Sequence, residues 1–316
     1  MGRFAKLAIL MMFNRTNDDM LIAHVSDLHI VAPPALCYEQ VDTRACLARV
    51  IARVNALSPR PDVVVFTGDL ADEPSEAAYE CLHDMLAALN LPFIVLPGNH
   101  DDRSMLAKAF PAHAYLPSGG RKAHFAVEAG DILLVGFDAV VPGREYAQVE
   151  EEDLVWLDTT LSRRAPEKPV LLAMHHPPMH TGLAFMDEMQ PALPLAFEGL
   201  LRRHDRVKLI ICGHIHRAMD GMFAGVRVAA APSTAHQFAF ATDPMLPPRI
   251  AMEPQQLRLH LLRDGVASSF SVPVDDTAMV TSFPGVDETT WPAMVQKMRE
   301  GASRNAVYRA DTDEPA

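Results

Sequence analysis

Five times along this chain a short apolar run stops at a cluster of Asp, Asn, His and Gly. The stops are Ser26-Asp27-Leu28-His29, Gly68-Asp69, Gly98-Asn99-His100-Asp101, His175-His176-Pro177-Pro178 and Gly213-His214-Ile215-His216. The preceding runs (residues 21–25, 62–67, 93–96, 170–174 and 207–212) are too short for helices and read as buried strands. In α/β sheets the loops at the carboxyl ends of strands gather along one edge. The pattern therefore predicts a single metal site assembled from five loops.

Between these strands the spacing is helical. Val41, Ala45, Ala48, Ile51 and Ala52 recur at helical intervals over residues 41–57, ahead of Ser58-Pro59. Residues 75–89 predict a helix capped by Ser75, and residues 151–164 one with an acidic first turn and a basic last turn, the polarity the helix dipole favours. Residues 123–138 read as a hairpin broken at Gly130-Asp131, and 226–230 and 257–262 as further strands. Strand–helix alternation followed by surplus strands predicts an α/β (α+β) sandwich, with sheets packed on each other and helices outside.

The catalytic domain is expected over residues 20–272. Within it, residues 231–254 are rich in Pro and Met, too irregular for a regular element, and predict a loop over one face. Residues 273–316 predict a peripheral, weakly ordered tail with one helical stretch near 291–300. At the other end, the apolar residues 7–13 behind Arg3 and Lys6 resemble a secretory leader in outline. However, Asn14-Arg15-Thr16-Asn17-Asp18-Asp19 stands where a small-residue cleavage site belongs, so residues 1–19 are expected to be a weakly ordered extension ahead of a start at Met20.

Composition narrows the partners. With 28 Lys and Arg against 40 Asp and Glu the formal charge is −12, and no long basic block offers a track for a nucleic-acid backbone. A small phosphate ester drawn to a bound metal remains compatible with that charge. The four cysteines lack CxxC spacing and read as free thiols of a reducing cytoplasm, and no run reaches the length of a membrane span.

The candidate metal ligands are Asp27, His29, Asp69, Asn99, His175, His214 and His216. Two carboxylates, one amide and four imidazoles exceed the needs of one four-coordinate zinc and suit two metals sharing a bridging carboxylate. In Asp27-x-His29 and His214-x-His216, residues two apart fall on one side of an extended segment. Two-metal sites acidify a bound water towards a pKa of about 7, so metal-bound hydroxide can attack and no protein nucleophile is needed. None is signalled, for Gly-x-Ser-x-Gly is absent. His100, beside Asn99, is assigned as donor or general acid to the phosphoryl oxygen or leaving group.

These five motifs, in this order across residues 27–216, resemble the full signature of the calcineurin-like metallophosphoesterases. Each is weak alone; together they are specific. The resemblance implies a four-layer αββα sandwich of two mixed sheets. It also implies one metal on Asp27, His29, Asp69 and His216 and a second on Asp69, Asn99, His175 and His214, with Asp69 bridging. The catalytic set is then His100 with Asp69 and Asn99. Gly68-Asp69-Leu70-Ala71-Asp72, Tyr79, His-His-Pro-Pro and Ala231-Pro232-Ser233-Thr234 are similar to bacterial class III cyclic nucleotide phosphodiesterases and their glycerophosphodiesterase relatives. Glu73-Pro74 departs from that subgroup, where a glycine is frequent, at a position outside the ligand set.

The expectation is thus a cytoplasmic phosphodiesterase with two divalent or mixed-valence transition metals (Mn, Fe, Zn or Co) acting on a small phosphodiester, foremost 3′,5′-cAMP. A glycerophosphodiesterase or a broad phosphodiesterase and phosphonate monoesterase is the alternative. A silent scaffold is disfavoured because every ligand is present, and a nuclease because no basic stripe exists. Neither a nucleic acid nor a membrane is expected as a partner. Dimers are common among such relatives, and the Pro-rich segment is a candidate homodimer interface.

His176, Asp72 and Asp101 read as supporting residues, and Met179, Met186 and Met189 as an apolar wall for a nucleobase. His236 is set aside as a substrate contact, and His24, His83, His113, His124, His180, His204 and His260 read as ordinary. Specificity is expected in residues 183–194 and 231–254.

Overall fold

Alternation along the first strands sets the layers. In β1 (Met20–Val25) and β2 (Val63–Phe66), Ile22, Val63 and Val65 join a core between two sheets, while Ala23, Val25, Val64 and Phe66 pack under helices. Both faces are buried, which is why these strands read as continuous apolar runs. The computed structural model describes residues 19–164, 166–189, 193, 195–275, 283 and 285–300. The expected N-terminal extension, apart from Asp19, the end of the C-terminal tail and part of the 183–194 loop lie outside the described residues.

The first sheet has the order β13-β12-β1-β2-β3, where β3 is Phe93–Val95, β12 Gln256–Arg263 and β13 Val266–Pro273. β1, β2 and β3 run parallel, and β12 and β13 antiparallel to their neighbours. The second sheet has the order β4-β5-β6-β7-β9-β8. Its strands are β4 (Phe125–Ala129), β5 (Ile132–Gly136), β6 (Val170–Ala173), β7 (Val207–Cys212), β8 (Met219–Phe223) and β9 (Val226–Ala230). β5, β6, β7 and β9 are parallel, with antiparallel β4 and β8 at the edges.

Helices α1 (Thr43–Ala56), α2 (Glu76–Leu86) and α3 (Arg103–Ala109) cover the first sheet through Leu47, Val50, Leu82, Leu86 and Leu106. α4 (Glu151–Arg163) and α6 (Leu195–Arg203) cover the second through Leu157, Leu161, Phe197 and Leu200, and a short α5 (Ala184–Asp187) lies between them in sequence. The expected αββα layering is therefore the architecture. Ser75 caps α2 as predicted, its side chain accepting from Ala78 N at 3.2 Å.

Several elements were not anticipated. β8 carries Asp220 and Gly221 and β13 is rich in serine, residue types that weaken a strand signal, and each survives as an edge strand held by one neighbour. The Pro-rich segment contains a small two-stranded ladder, β10 (Gln237–Phe238) with β11 (Ile250–Ala251), where no regular element was expected. Contacts divide the chain after Asp275; the unit beginning at Asp276 holds α7 (Trp291–Arg299), the predicted helical stretch.

Two buried polar groups brace the frame. Arg103 donates to Asp138 through Nε and Nη2 at 2.7 and 2.8 Å and to the Val140 carbonyl at 2.6 Å. Removing one partner of such a pair leaves a buried charge uncompensated. Arg103→Ala is expected to lower unfolding stability by about 3–5 kcal/mol, read from denaturant melts. A loss under about 1 kcal/mol would contradict that role.

His24 and His260, treated as ordinary from sequence, form the second. His24 Nδ1 lies 3.0 Å from His260 Nε2, and His24 Nε2 2.9 Å from Thr67 Oγ1. Thr67 then donates to Ser26 Oγ at 2.8 Å. Burial, and then the Arg258 charge, hold His24 at about 3, so the pair is neutral and ties together the two loops that carry Asp27 and Asp69.

Candidate metal centre

The five predicted stops do meet. β1 delivers Asp27 and His29, β2 Asp69, β3 Asn99 and His100, β6 His175, and β7 His214 and His216. Asp27, His29, Asp69, His214 and His216 all adopt positive φ, between 47° and 69°. Such backbone costs of order 1–3 kcal/mol per residue and persists only where surroundings over-determine it. Here the glycines permit the crowding. Gly68 sits at φ +101°, and a Cβ there would lie 2.5 Å from His175 Nδ1. A Cβ on Gly98 would overlap the Asp69 carboxylate.

Two carboxylates hold the loops in register. Asp101 accepts from Gly98 N at 2.8 Å, Leu70 N at 3.1 Å, Ala71 N at 3.2 Å and Tyr79 OH at 2.9 Å, joining the β2 and β3 loops. Asp27 accepts from His214 N at 3.0 and 3.1 Å, joining the first sheet to the second. The supporting role expected of Asp101 is what these bonds describe.

The tautomers can be read from the outward-facing nitrogens. His29 Nδ1 lies 3.0 Å from Asp72 Oδ1, His175 Nδ1 2.7 Å from the Thr67 carbonyl and His216 Nδ1 2.9 Å from the His236 carbonyl. Those partners can only accept, so each Nδ1 carries a proton and each Nε2 is the nitrogen left to take a cation or a second proton. His29 Nε2 and His216 Nε2 then face each other at 3.0 Å, with Asp69 Oδ2 and Asp27 Oδ1 each 3.6 Å away. His175 Nε2 faces Asn99 Oδ1 at 2.9 Å and Asp69 Oδ1 at 3.3 Å, and His214 Nδ1 faces the same Asn99 oxygen at 3.0 Å. A proton on His175 Nε2 can bridge it to Asp69 and Asn99. Once that proton leaves, the inward nitrogens and oxygens face one another as acceptors, and a cation between them satisfies them, so the donor set fits metal ions.

Asp69 stands between both groups. Asp27, His29, Asp69 and His216 bring ligand atoms within 4.8 Å of one another, as do His175, His176 and His214, and Asp69 touches His29 on one side and His175 on the other. All are buried except Asn99 and His100, which are half-buried at the mouth.

Electrostatics agree. Burial opposes a charge on His175, yet the Asp69 and Asp27 carboxylates raise it to about 9. Burial likewise opposes the Asp69 carboxylate, which His175 and His29 nevertheless hold well below the usual range. Burial, then repulsion from His175, keeps His214 at about 3. The metal-free protein at pH 7.5 thus carries a proton on His175, since its pKa lies above that pH, and a metal must expel it. Loading at pH 7.5 is expected to release protons, counted by calorimetry in two buffers of different ionisation enthalpy. The His175 share of that release, one proton, should disappear above pH 10; no release at pH 7.5 would refute it.

Around this centre, His100 N donates to Asp69 Oδ1 at 3.0 Å and its Nδ1 to the Asp72 carbonyl at 2.7 Å. Only Nε2 of His100 is left to exchange a proton. His176 donates through Nε2 to the Glu145 carbonyl at 3.0 Å, and its Nδ1 is buried without a hydrogen-bond partner.

Two residues sequence reasoning missed or set aside also border the site. Glu145 accepts from Asn99 Nδ2 at 2.6 Å. His236, fully buried, has ring centroids 4.6 Å from His216 and 5.4 Å from His29, and neither ring nitrogen has a hydrogen-bond partner. Glu145 lies in the loop after β5 but nine residues beyond its end, too far for strand-end spacing to flag it; the signal for His236 was its place just after Ala231-Pro232-Ser233-Thr234. The methionine wall is corrected. Met186 is buried, Met179 and Met189 pack on the helix-covered core, and the cleft beside them holds about 10 Å³, room for one water and no base.

The family model of the calcineurin-like phosphoesterases matches residues 20–218. The chain belongs to that family, which uses a dinuclear metal site, and is a metal-dependent phosphodiesterase. It is 33% identical over 244 residues to a probable glycerophosphodiester phosphodiesterase, GpdQ, of Arcobacter nitrofigilis, covering 76% of this chain and 88% of that protein. It is 32% identical over 217 residues to the 3′,5′-cyclic adenosine monophosphate phosphodiesterase CpdA of Escherichia coli K12, covering 69% and 77%.

Among solved structures, a purple acid phosphatase from yellow lupin aligns with a TM-score of 0.58 at 12% identity, over 84% of this chain and 53% of that one. A dimetal phosphatase from Danio rerio aligns with a TM-score of 0.53 at 16% identity, over 81% and 99%. These likenesses speak to the fold. No helix among the described residues is long and apolar enough to cross a membrane.

Proposed function

We propose that the chain hydrolyses 3′,5′-cAMP or a close cyclic phosphodiester. Asp27, His29, Asp69 and His216 would hold one metal and Asp69, Asn99, His175 and His214 the other. The observation that carries the site is the convergence of inward-facing imidazole nitrogens on Asp27, Asp69 and Asn99. When bound, two ions of Mn, Fe, Zn or Co supply Lewis acidity and lower the pKa of a water to about 7.

The chain's own residues do the rest. Asp72, the Thr67 carbonyl and the His236 carbonyl fix the ligand tautomers, and the Asp69–His100 backbone bond places the His100 ring at the mouth. His100 Nε2 is the group positioned to protonate the leaving oxygen. Similarity to a cAMP phosphodiesterase supports the cyclic substrate; the 33% identity to a probable glycerophosphodiester phosphodiesterase favours glycerophosphodiesters as the second reading.

The catalytic domain is assigned to residues 20–272 and a peripheral role to 273–316. Four free cysteines support a cytoplasmic setting. Exposed Phe240, Met245, Leu246 and Met252 on the Pro-rich segment support a homodimer through that face.

The test is a panel assayed on metal-stripped protein reloaded with Mn²⁺: 3′,5′-cAMP, 2′,3′-cAMP, glycerophosphodiesters, an aryl diester and an aryl monoester. A clear kcat/KM preference for 3′,5′-cAMP is expected. Preference for glycerophosphodiesters would shift the assignment to the second reading, and no turnover with any metal would end both.

A further inference from the structure

We propose that the Glu145 carboxylate sets the charge selectivity of the site, favouring monoanionic phosphodiesters over dianionic phosphomonoesters. The inference rests on the diesterase reading above and deepens it. Asn99 turns its amide oxygen to His175 and His214 and its NH₂ to Glu145 Oε2, 2.6 Å away. One amide group therefore separates an exposed negative charge from the donors around which a phosphoryl group must sit. Among the described residues, Asn99 is the side chain that Glu145 Oε2 meets, and no basic side chain forms an ion pair with it.

The position of this charge is built into the fold. The Glu145 carbonyl accepts from His176 Nε2 at 3.0 Å, Val140 bridges Ala147, and Arg103 grips the Val140 carbonyl at 2.6 Å.

A diester carries one negative charge and a monoester near neutral pH close to two, so Glu145 repels the monoester about twice as strongly. The product of diester hydrolysis is a monoester. The same carboxylate that disfavours monoester substrates therefore hastens product release.

Glu145→Gln keeps an oxygen to accept the Asn99 amide and removes the charge; Glu145→Ala removes both. In Glu145→Gln the monoester-to-diester ratio of kcat/KM is expected to rise about tenfold, on the scale of one screened charge at the mouth. Affinity for inorganic phosphate, which carries close to two charges near neutral pH, should rise by more than that ratio, towards about 10²-fold, measured by calorimetry on Mn²⁺-loaded protein. Metal content should stay at the wild-type value, which separates a charge effect from a mere brace on Asn99.

An unchanged ratio and unchanged phosphate affinity would overturn the inference. So would metal loss in Glu145→Gln equal to that in Glu145→Ala. The phosphate measurement needs no turnover. A wild-type protein that binds phosphate but cleaves no diester would sink the diesterase reading, while the comparison of the two proteins still decides the role of Glu145.

Discussion

Asp69→Ala is expected to abolish turnover, by about 10⁴-fold or more, and to empty the site of metal at the same time. Asp69 is buried, lies 3.6 Å from His29 Nε2 and 3.3 Å from His175 Nε2, and is the carboxylate common to both ligand groups. Without it, each group loses its shared anion and the positive charge of bound metals has too little compensation. His100 is affected as well, since its backbone N–H loses the Asp69 acceptor at 3.0 Å. The check is metal content by elemental analysis beside kcat/KM on an aryl diester. Wild-type turnover, or full metal occupancy, in Asp69→Ala would show that the two groups do not share this residue.

His100→Ala should behave differently. His100 Nδ1 is committed to the Asp72 carbonyl and the ring lies beside the donor cluster, 4.8 Å from the His29 ring between centroids. Both metals should remain, while kcat for an alkyl or cyclic diester falls about 10²–10³-fold, the scale of a lost general acid. A nitrophenyl diester, whose leaving group needs no proton, should lose about tenfold or less. An equal loss on both substrates would assign His100 to phosphoryl binding in place of protonating the leaving oxygen. Loss of metal would make it a support for Asp69.

The two variants probe what the sequence showed most clearly. The candidate ligands were legible because each stands at the end of an apolar run, and sheet physics places such ends together. The layers were legible for a similar reason, since β-branched runs on both faces imply burial on both sides. Weaker signals failed where neighbours decide the outcome. β8 and β13 contain the Asp, Gly and Ser that depress strand propensity, and only pairing along β9 and β12 makes them strands.

The supporting groups were harder still. Glu145 reaches Asn99 across 46 positions of sequence, and His260 reaches His24 across 236. No periodicity links residues that far apart. His236 carried a faint sequence signal and was set aside, because burial beside His216 follows from the turn after β9 and from no local pattern.

What the sequence determined by itself was the donor inventory and its five anchor points, because residue type and strand-end position are local properties. The tertiary structure alone decided which nitrogen of each imidazole is left to face a cation, since that depends on the distant carbonyl or carboxylate to which the other nitrogen donates. It also decided where a fixed negative charge meets the mouth of the site, because a carboxylate acts through space and the chain brings Glu145 there only once the loop is folded.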